Sequence, residues 1–264
     1  MNNRIRSIQP EENGCDIVIE HLAKSLGGQP VLRDVNLTIP TRGTLGVVGR
    51  SGCGKSVLLK HIIGLMWPDS GRVVINGRGL AEMDREELYQ TRHRFGMLFQ
   101  SAALMDSMTV GENVALGLIH NRMMSRGEIA DRVAECLNMV GLHGLENKVP
   151  SELSGGMKKR AGLARAVAMD PEVMLFDEPT TGLDPIMSAV IDEVIKDLVE
   201  RLQTTAVVVT HDMRTVNTIC HQVAFLHRGI IFAQGTPEEI MASEDEVVAQ
   251  FIAGRADGPI KPRV

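Results

Sequence analysis

Residues 49–56 read Gly49-Arg50-Ser51-Gly52-Cys53-Gly54-Lys55-Ser56, which matches the phosphate-binding pattern G-x-x-x-x-G-K-[ST]. An apolar segment, residues 44–48, precedes this run and is typical of a buried strand. A segment with apolar residues three and four positions apart, residues 55–63, follows it and is typical of a helix. A phosphate loop requires this strand, turn and helix, whereas an accidental glycine-rich turn does not. We therefore predict nucleotide binding at residues 49–56.

The residue types of this loop suit a polyphosphate. Glycines let backbone N–H groups turn toward an anion, and the following helix adds the positive end of its dipole. Lys55 is expected to reach the β- and γ-phosphates, and the Ser56 hydroxyl to hold Mg²⁺. Val57, in the first turn of the helix, completes the predicted nucleotide-binding set. Cys53 has two interpretations, an oxidation-sensitive thiol or a small residue that fills the loop, and we favour the second.

Length and composition limit the class of protein. The chain has 264 residues, enough for one large α/β domain or for a domain with an inserted subdomain. Aromatic residues make up only 3% and the net charge is -5, which argues against a nucleic-acid partner. Cys15, Cys53, Cys136 and Cys220 form no C-x-x-C pair, so neither a zinc site nor a disulfide framework is indicated. A reduced, cytosolic compartment is expected.

The sequence indicates neither a signal peptide nor a membrane-spanning segment. Residues 1–13 are polar and lack an apolar core, unlike a signal peptide. No apolar run approaches the roughly 18–20 residues that span a bilayer. If the protein works at a membrane, we expect another chain to provide the span.

The order of patterns predicts an α/β fold with a helical insertion. Only helical patterns occur between residues 109 and 169, and Ser125 with Glu128 has the spacing of a capping box at the start of one of these helices. The predicted strands are residues 16–20, 35–39, 44–48, 72–77, 95–100, 173–178 and 205–212, followed by a hairpin of 223–226 with 230–233. The predicted helices are residues 55–63, 84–94, 110–119, 126–140, 157–169, 186–203, 237–241 and 245–252. The Gly/Pro-rich tail after Gly254 is expected to be extended.

Polar residues follow the predicted buried strands. In a parallel sheet, ligands bind beyond the carboxyl ends of the strands, where Asp177, Glu178 and His211 occur. We expect Asp177 to hold Mg²⁺ opposite Ser56, and Glu178 to orient or deprotonate the water that attacks the γ-phosphate. His211 is placed to hydrogen-bond the γ-phosphate. Gln100 also ends a strand, and taken alone it fits a ligand contact and an ordinary strand end equally well.

A second anion site is predicted in the helical insertion, where Leu153-Ser154-Gly155-Gly156-Met157 opens a basic helix. Taken alone, this run fits a simple serine N-cap with glycine spacers. One chain then has two phosphate-binding helix ends, although its own nucleotide requires only one. A two-fold dimer would use both helix ends. In it, Ser154, Gly155 and Gly156 of each chain are expected to close over the nucleotide held by the partner's Lys55.

Asp184 lies shortly after Glu178, in the run Thr181-Gly182-Leu183-Asp184-Pro185. It is placed to bridge the two subunits near the attacking water. An aspartate before a proline is also a common turn, so this second interpretation stays open.

Together these motifs resemble the ATPase subunits of the ABC (ATP-binding cassette) family, over about residues 17–241. The resemblance implies a two-lobed fold, a head-to-tail dimer with ATP between the subunits, and a role in driving a membrane permease. It adds Gln100 to Ser56 and Asp177 as a metal ligand. The implied organisation is an N-terminal tail at 1–13, an ATPase domain at 14–241 with a helical subdomain at about 101–170, and a C-terminal helix and extended tail at 242–264.

Finer features resemble the ATPases of Mla (maintenance of lipid asymmetry) systems. These features lie in residues 99–110, 150–160, 182–186 and 251–260, and Met157 replaces the glutamine that most cassettes carry. The resemblance implies a complex with an integral membrane permease, an MCE-domain substrate-binding protein and, as an optional component, a small STAS-domain protein. The implied cargo is phospholipid, and the implied location is the cytoplasmic face of the inner membrane.

One departure and three alternatives accompany this resemblance. Leu26 stands near the position of the aromatic residue that stacks on adenine in the family, so we predict weaker discrimination between ATP and GTP. The alternatives are an ABC transporter for another cargo, a soluble cassette protein that acts as a scaffold or in repair or translation, and a GTPase switch. Against the second, the chain has no second cassette, no long heptad insertion and no basic excess. Against the third, Asn147-Lys148-Val149-Pro150 lacks the aspartate of a guanine-reading motif.

Overall fold

The computed structural model describes residues 16–121 and 124–261. The predicted N-terminal tail, residues 1–13, and Cys15 lie outside these ranges. Within them, ten strands form one sheet in the order β5-β4-β1-β2-β10-β9-β3-β8-β7-β6. The strands are β1 Ile17–Leu26, β2 Gln29–Ile39, β3 Thr44–Val48, β4 Ser70–Ile75, β5 Arg78–Gly79, β6 Phe95–Leu98, β7 Val173–Asp177, β8 Thr205–Thr210, β9 Gln222–His227 and β10 Ile230–Gly235.

The parallel part of the sheet brings the carboxyl ends of β3, β7 and β8 to the same side. Strands β6, β7, β8, β3 and β9 are parallel to one another, while β1, β2, β4 and β5 pair in an antiparallel manner. Val48 at the end of β3 lies opposite Thr210 of β8, and Asp177 at the end of β7 lies opposite Val209. The residues that follow β3, β7 and β8 therefore leave the sheet at one edge. The mixed sheet confirms the predicted α/β fold.

The helical patterns between residues 109 and 169 form three helices with no strand among the described residues. Ser125 accepts a hydrogen bond from the Glu128 N–H at 3.3 Å, and Glu128 accepts one from the Ser125 N–H at 2.7 Å, as the capping-box spacing predicts. The helices are α1 Lys55–Ile62, α2 Arg85–His93, α3 Val110–Asn121, α4 Arg126–Met139, α5 Gly155–Val167, α6 Pro185–Leu202, α7 Met213–Ile219, α8 Pro237–Met241 and α9 Glu246–Ile252.

The sheet separates two apolar cores because neighbouring residues of a strand face opposite sides. In β8, Ala206 and Val208 join the core that holds the apolar faces of α3, α4, α5 and α6. Val207 and Val209 join the other core, which packs against α1 and the antiparallel strands. Every residue of β7 and β8 is buried, as a strand covered on both faces requires.

The structure differs from the sequence-based assignments most clearly at three places. Strands β1 and β2 extend to a two-residue turn at Gly27 and Gly28, because cross-strand pairing continues through the polar residues that read as a loop. Helix α7 was not predicted, and β8 ends before it because the Asp212 carboxylate accepts from the Arg214 N–H at 2.9 Å and caps the helix. The third difference concerns the C-terminal tail.

The tail after Gly254 was expected to be extended, but residues 255–261 bend back onto α9. The buried Gln250 amide donates to the carbonyls of Arg255 and Ile260, both at 3.1 Å, and its oxygen accepts from the Ile260 N–H at 2.7 Å. Ile260 is buried in the helix-packed core. One side chain thus satisfies three backbone groups, which makes the folded-back path stable despite the Gly/Pro-rich composition.

None of the helices in the described ranges has the length and apolar character needed to cross a bilayer.

Candidate nucleotide-binding and catalytic site

The loop of residues 49–54 joins β3 to α1 and depends on glycine at two positions. A Cβ atom on Gly49 would lie 2.4 Å from the Leu226 carbonyl oxygen, so a side chain does not fit there. Gly54 has a φ of 110° and caps α1, and a Cβ atom on it would lie 2.9 Å from Leu32. The flanking strands thus approach the loop so closely that only glycine permits its path.

The Lys55 side chain turns back along the loop and is almost fully buried. Its ammonium donates to the carbonyls of Gly49 at 2.8 Å and Arg50 at 3.2 Å. It also lies 3.3 Å from Oε1 of Glu178, with both side chains mostly buried. The phosphate-loop lysine and the strand-exit glutamate, 123 positions apart in sequence, therefore form a direct ion pair.

Ser56 and Asp177 contact each other across the loop. The Ser56 hydroxyl donates to Oδ1 of Asp177 at 2.8 Å. A hydroxyl and a carboxylate oxygen are hard ligands that fit Mg²⁺, which normally takes only one or two protein carboxylates with substrate phosphates and water. Within residues 16–121 and 124–261, no cluster of three or more His, Cys, Asp or Glu residues could hold a metal by itself. Ser56 and Asp177 therefore fit a magnesium ion whose remaining ligands would come from a bound polyphosphate and water.

Glu178 adopts a left-handed backbone conformation, with a φ of 49°, directly after β7. Its Oε2 accepts hydrogen bonds from the Thr181 hydroxyl at 3.2 Å and from Nδ1 of His211 at 2.7 Å. Because the carboxylate is the acceptor, His211 holds a hydrogen on Nδ1, and its Nε2 is the nitrogen that can face a ligand. The exposed His211 side chain and the mostly buried Glu178 carboxylate form one hydrogen-bonded pair beyond the carboxyl ends of β7 and β8.

The other predicted loop residues have less specific surroundings. Burial raises the pKa of the Cys53 thiol, against the opposing effect of the nearby Lys55 ammonium, which supports the interpretation of Cys53 as a loop filler. The Arg50 guanidinium donates to the Lys261 carbonyl of the tail at 2.7 Å. Ser51 and Gly52 are exposed. Val57 is half-buried, and its carbonyl lies 2.7 Å from Nδ1 of His61.

Gln100 is exposed just beyond β6, at the edge of the sheet that also carries Asp177 and Glu178. The contact described for it involves its backbone carbonyl, which accepts a hydrogen bond from the Lys159 ammonium. The magnesium role predicted for its side chain remains a prediction.

The second predicted anion site lies at the start of α5. Ser154 is exposed and caps this helix, because its hydroxyl accepts from the Met157 N–H at 3.3 Å. A Cβ atom on Gly156 would lie 2.4 Å from Met187 at the start of α6, and one on Gly155 would lie 3.4 Å from Leu183. The helix α5 therefore begins against the residues that open α6.

Asp184 caps that neighbouring helix. Its Oδ1 accepts from the N–H groups of Ile186 at 2.9 Å and Met187 at 3.0 Å. The structure thus places Asp184 beside the predicted second anion site. Among the contacts described for residues 154–156 and 184, none reaches Lys55, Asp177 or Glu178.

Two residues of the site were not singled out from the sequence, Lys159 and Thr181. Lys159 was assigned only to a basic helix, but it lies three positions from Gly156 and four from Leu163, both of which are buried. This spacing places its charge on the buried face of α5, which is a signal that the sequence offers. The contact of Thr181 with Glu178 depends on the loop conformation, for which the sequence gives no signal.

The geometry defines a class of protein. A glycine-rich loop between a strand and a helix, a Ser–Asp pair and a Glu–His pair at the ends of parallel strands form the site of a P-loop nucleoside triphosphatase. Comparison with known proteins narrows this class.

The sequence profile of the family described as ABC transporter matches residues 32–181. The chain is 42% identical over 247 residues to the probable ribonucleotide transport ATP-binding protein mkl of Mycobacterium tuberculosis, covering 94% of this chain and 69% of mkl. It is 38% identical over 245 residues to the intermembrane phospholipid transport system ATP-binding protein MlaF of Haemophilus influenzae, covering 93% of each. A dimeric post-hydrolysis structure of the ATP-binding cassette MJ0796 with ADP and Pi matches with a TM-score of 0.76 and 33% identity, covering 84% of this chain and 98% of that one.

The chain therefore belongs to the ABC transporter family. It is the ATP-binding subunit of such a transporter and is an ATPase. This membership excludes the GTPase-switch alternative.

Proposed function

We propose that this chain is the magnesium-dependent ATPase of a phospholipid transporter, and that it acts as a head-to-tail dimer on the cytoplasmic face of the inner membrane. The observation that carries the proposal is the division of the phosphate-binding groups into two sets on one chain. The loop of residues 49–56, with Asp177, Glu178 and His211, forms one set. Ser154, Gly155 and Gly156 form the other, at a helix end that makes no described contact with the first.

In the first set, a triphosphate would compete with Glu178 for the Lys55 ammonium. Phosphate oxygens along the loop would accept from its backbone N–H groups and from Lys55, which would then release the carboxylate. Glu178 would be left to accept a proton from the attacking water, while His211 hydrogen-bonds the γ-phosphate. Ser56, Asp177 and Gln100 would hold Mg²⁺, which when bound neutralises charge on the β- and γ-phosphates.

In the second set, the exposed start of α5 offers backbone N–H groups, the Ser154 hydroxyl and a positive helix end. These groups would close over the γ-phosphate bound by the partner subunit, and Asp184 would lie at the same interface. Two sets that do not meet in one chain would meet across a two-fold axis. Binding would close the dimer and hydrolysis would open it, which gives a motion that a docked permease can use.

Phospholipid is the cargo that the relatives favour. The match to MlaF, named for intermembrane phospholipid transport, covers 93% of both chains, whereas the match to mkl, named for ribonucleotide transport, covers 69% of mkl. The Mla-like segments at residues 150–160 and 251–260 also favour phospholipid as the cargo. The complex would contain an integral membrane permease, an MCE-domain substrate-binding protein and, as an optional component, a STAS-domain protein.

The test is to purify the chain with its membrane partners and to identify the bound lipids and chains by mass spectrometry. We expect a permease and an MCE-domain protein to co-purify, and ATP to drive transfer of labelled phospholipid between vesicles and the complex. Transfer should stop in the Glu178→Gln variant, which serves as the matched control. Enrichment of ribonucleotides instead of lipids would contradict the proposed cargo, and purification without any membrane protein would contradict the transporter role.

A further inference from the structure

Lys159 is a buried cation that contacts two parts of the candidate site through their backbone. Its side chain is about as buried as that of Lys55, and it lies on the inner face of α5. Its ammonium donates to the carbonyl of Gln100 and, at 3.3 Å, to the carbonyl of Glu178. Burial lowers the pKa of Lys159, and the nearby Asp177 and Glu178 carboxylates act in the opposite direction and favour the charged form.

The contact with Glu178 falls on an unusual piece of backbone. Glu178 is a non-glycine residue with a φ of 49°, a left-handed conformation that such residues rarely adopt. The Glu178 N–H donates to the Val209 carbonyl at 2.8 Å, and the Glu178 carbonyl accepts from Lys159 and, at 3.3 Å, from the Thr181 N–H. These hydrogen bonds hold the peptide groups on both sides of the Glu178 Cα, and the bond from Lys159 is the one among them that comes from α5.

The contact of Lys159 links the two regions, because Lys159 belongs to α5 and the start of this helix carries Ser154, Gly155 and Gly156. Lys159 lies five residues after Ser154, which is about one and a half helical turns. A displacement of α5 on closure of the dimer would therefore move the ammonium and, with it, the carbonyls of Gln100 and Glu178. No other side chain among the described residues is recorded with hydrogen bonds to both of these carbonyls.

We propose that Lys159 is a positioning residue that ties Glu178 and Gln100 of one nucleotide site to the helix whose N-terminus completes the other site. The inference rests on the dimer of the proposed function. It predicts that Glu178 is positioned for hydrolysis only when the start of α5 in the same chain contacts the nucleotide bound by the partner.

Two other basic residues of α5 provide matched controls. Arg165 donates to the carbonyls of Ala102 at 2.7 Å and Ala103 at 2.6 Å, so it tethers the segment after Gln100 without touching Glu178. Arg160 donates to the carbonyls of Val140 at 3.3 Å and Gly141 at 3.1 Å, away from the site. Each control loses two hydrogen bonds to backbone carbonyls, as a Lys159 variant does.

The experiment compares Lys159→Met with Lys159→Arg, Arg160→Met and Arg165→Met in the assembled complex. We expect Lys159→Met to lower kcat about 10- to 100-fold, the effect of a misplaced catalytic group. The KM for ATP should change less than about two-fold, because phosphate binding does not use Lys159. The Hill coefficient for ATP should fall from about 2 toward 1, since two coupled sites would act separately. Lys159→Arg should restore most of kcat and the cooperativity, while both controls stay within about three-fold of wild type.

A wild-type kcat and Hill coefficient in folded Lys159→Met would overturn the inference, as would an equal loss in Arg165→Met. If Lys159→Met does not fold, Lys159→Gln decides, because its shorter amide can reach only one of the two carbonyls. We expect it to lower kcat about five-fold, and an unchanged kcat would overturn the inference. Glu178→Gln in the same assay separates the two proposals. If it abolishes turnover while Lys159→Met does not, only the inference fails, whereas turnover in Glu178→Gln contradicts the proposed function itself.

Discussion

The two regions of this chain that are proposed to bind phosphate are built to different degrees. At the edge of the sheet, side chains from the loop, β7 and the end of β8 contact one another directly, through Lys55 with Glu178 and through Glu178 with His211. At the start of α5, the hydrogen bonds described for Ser154 stay within the first turn of its own helix, and the residue is exposed. The first region is assembled within one chain, whereas the second is an exposed helix end that, in the proposed dimer, would close over the partner's nucleotide.

This difference implies that hydrolysis would depend on two conditions. The ion pair of Lys55 and Glu178 occupies both the phosphate-binding cation and the proposed base until a phosphate competes for the cation. The exposed helix end adds a second requirement, because the γ-phosphate would be enclosed only when two chains meet. An ATPase of this design would hydrolyse little ATP unless a nucleotide and a partner are both present.

The largest expected effect comes from removing the charge of Glu178, the centre of the first region. Glu178→Gln should lower kcat by about 10³-fold or more, because the amide cannot accept the proton of the attacking water. ATP binding should persist and a closed dimer should accumulate. Single-turnover hydrolysis and size-exclusion chromatography with ATP measure the two outcomes, and Glu172→Gln, a change at an exposed glutamate before β7, is the control. Retention of the normal rate would exclude Glu178 as the base.

The next effect addresses the second region alone. Ser154→Arg places a bulky cation at the exposed start of α5 and should lower turnover about 100-fold by preventing closure, comparable to the loss of a group that stabilises the transition state. Binding of a fluorescent ATP analogue to the monomer should be unchanged, because the first region is untouched. Ser151→Arg, a few residues earlier at another exposed serine, controls for added charge. A normal ATPase rate would show that the second region takes no part in catalysis.

A smaller effect concerns the contact between α6, which begins beside the second region, and α7, which follows His211. Asp192 of α6 is buried, accepts from the Thr215 hydroxyl of α7 at 3.0 Å, and burial raises its pKa from 3.8 to about 6. Because the pKa is raised in the folded state, its stabilising contribution is fully present below pH 3.8 and is lost as the pH rises through 6. Above pH 6, the folded protein therefore carries a buried charge.

Asp192→Asn keeps the acceptor for Thr215 but cannot ionise. Its gain in unfolding free energy over wild type should be about 1–1.5 kcal/mol larger at pH 8 than at pH 5. Urea unfolding at the two pH values measures this difference, and Asp197→Asn, on the exposed face of the same helix, is the control. A gain that does not depend on pH would contradict the assigned protonation.

The smallest effect concerns the base of the nucleotide rather than its phosphates. Leu26 ends β1 beside the turn of Gly27 and Gly28 and is about 41% exposed. Leu26→Tyr should tighten ATP binding about five-fold through stacking on the base and should widen the preference for ATP over GTP. Competition binding with the two nucleotides measures both, and Leu26→Ala, which removes the apolar contact, should have the opposite effect on affinity. Unchanged affinities would exclude Leu26 from the base-binding surface.

The sequence predicted the fold where local patterns and spacing were sufficient. The strand, turn and helix around residues 49–56 and the three helices between 109 and 169 follow from short-range periodicity and caps. The parallel sheet rule also led us to expect Asp177, Glu178 and His211 at one edge, and the structure brings them together.

What the sequence could not provide depends on contacts between distant residues. The folded-back tail depends on the buried Gln250 amide, and the ion pair of Lys55 with Glu178 depends on the side-chain directions at two loop ends. Helix α7 was missed because its N-cap, Asp212, follows β8 so closely that it was assigned to the end of that apolar strand. The roles of the site residues in catalysis remain predictions that the variants above address.

The basic side chains of α5 also have a consequence for the order in which the molecule can assemble during synthesis. Ala102 and Ala103 both have a positive φ, and the Arg165 guanidinium that binds their carbonyls comes about 60 positions later in the chain. The segment that leaves β6 therefore lacks this hydrogen-bonding partner until α5 has emerged from the ribosome and packed against it. A nascent chain that stops before residue 165 would also lack β8 and β9, the two strands that flank β3, so neither the phosphate loop nor the exit from β6 would have its folded surroundings.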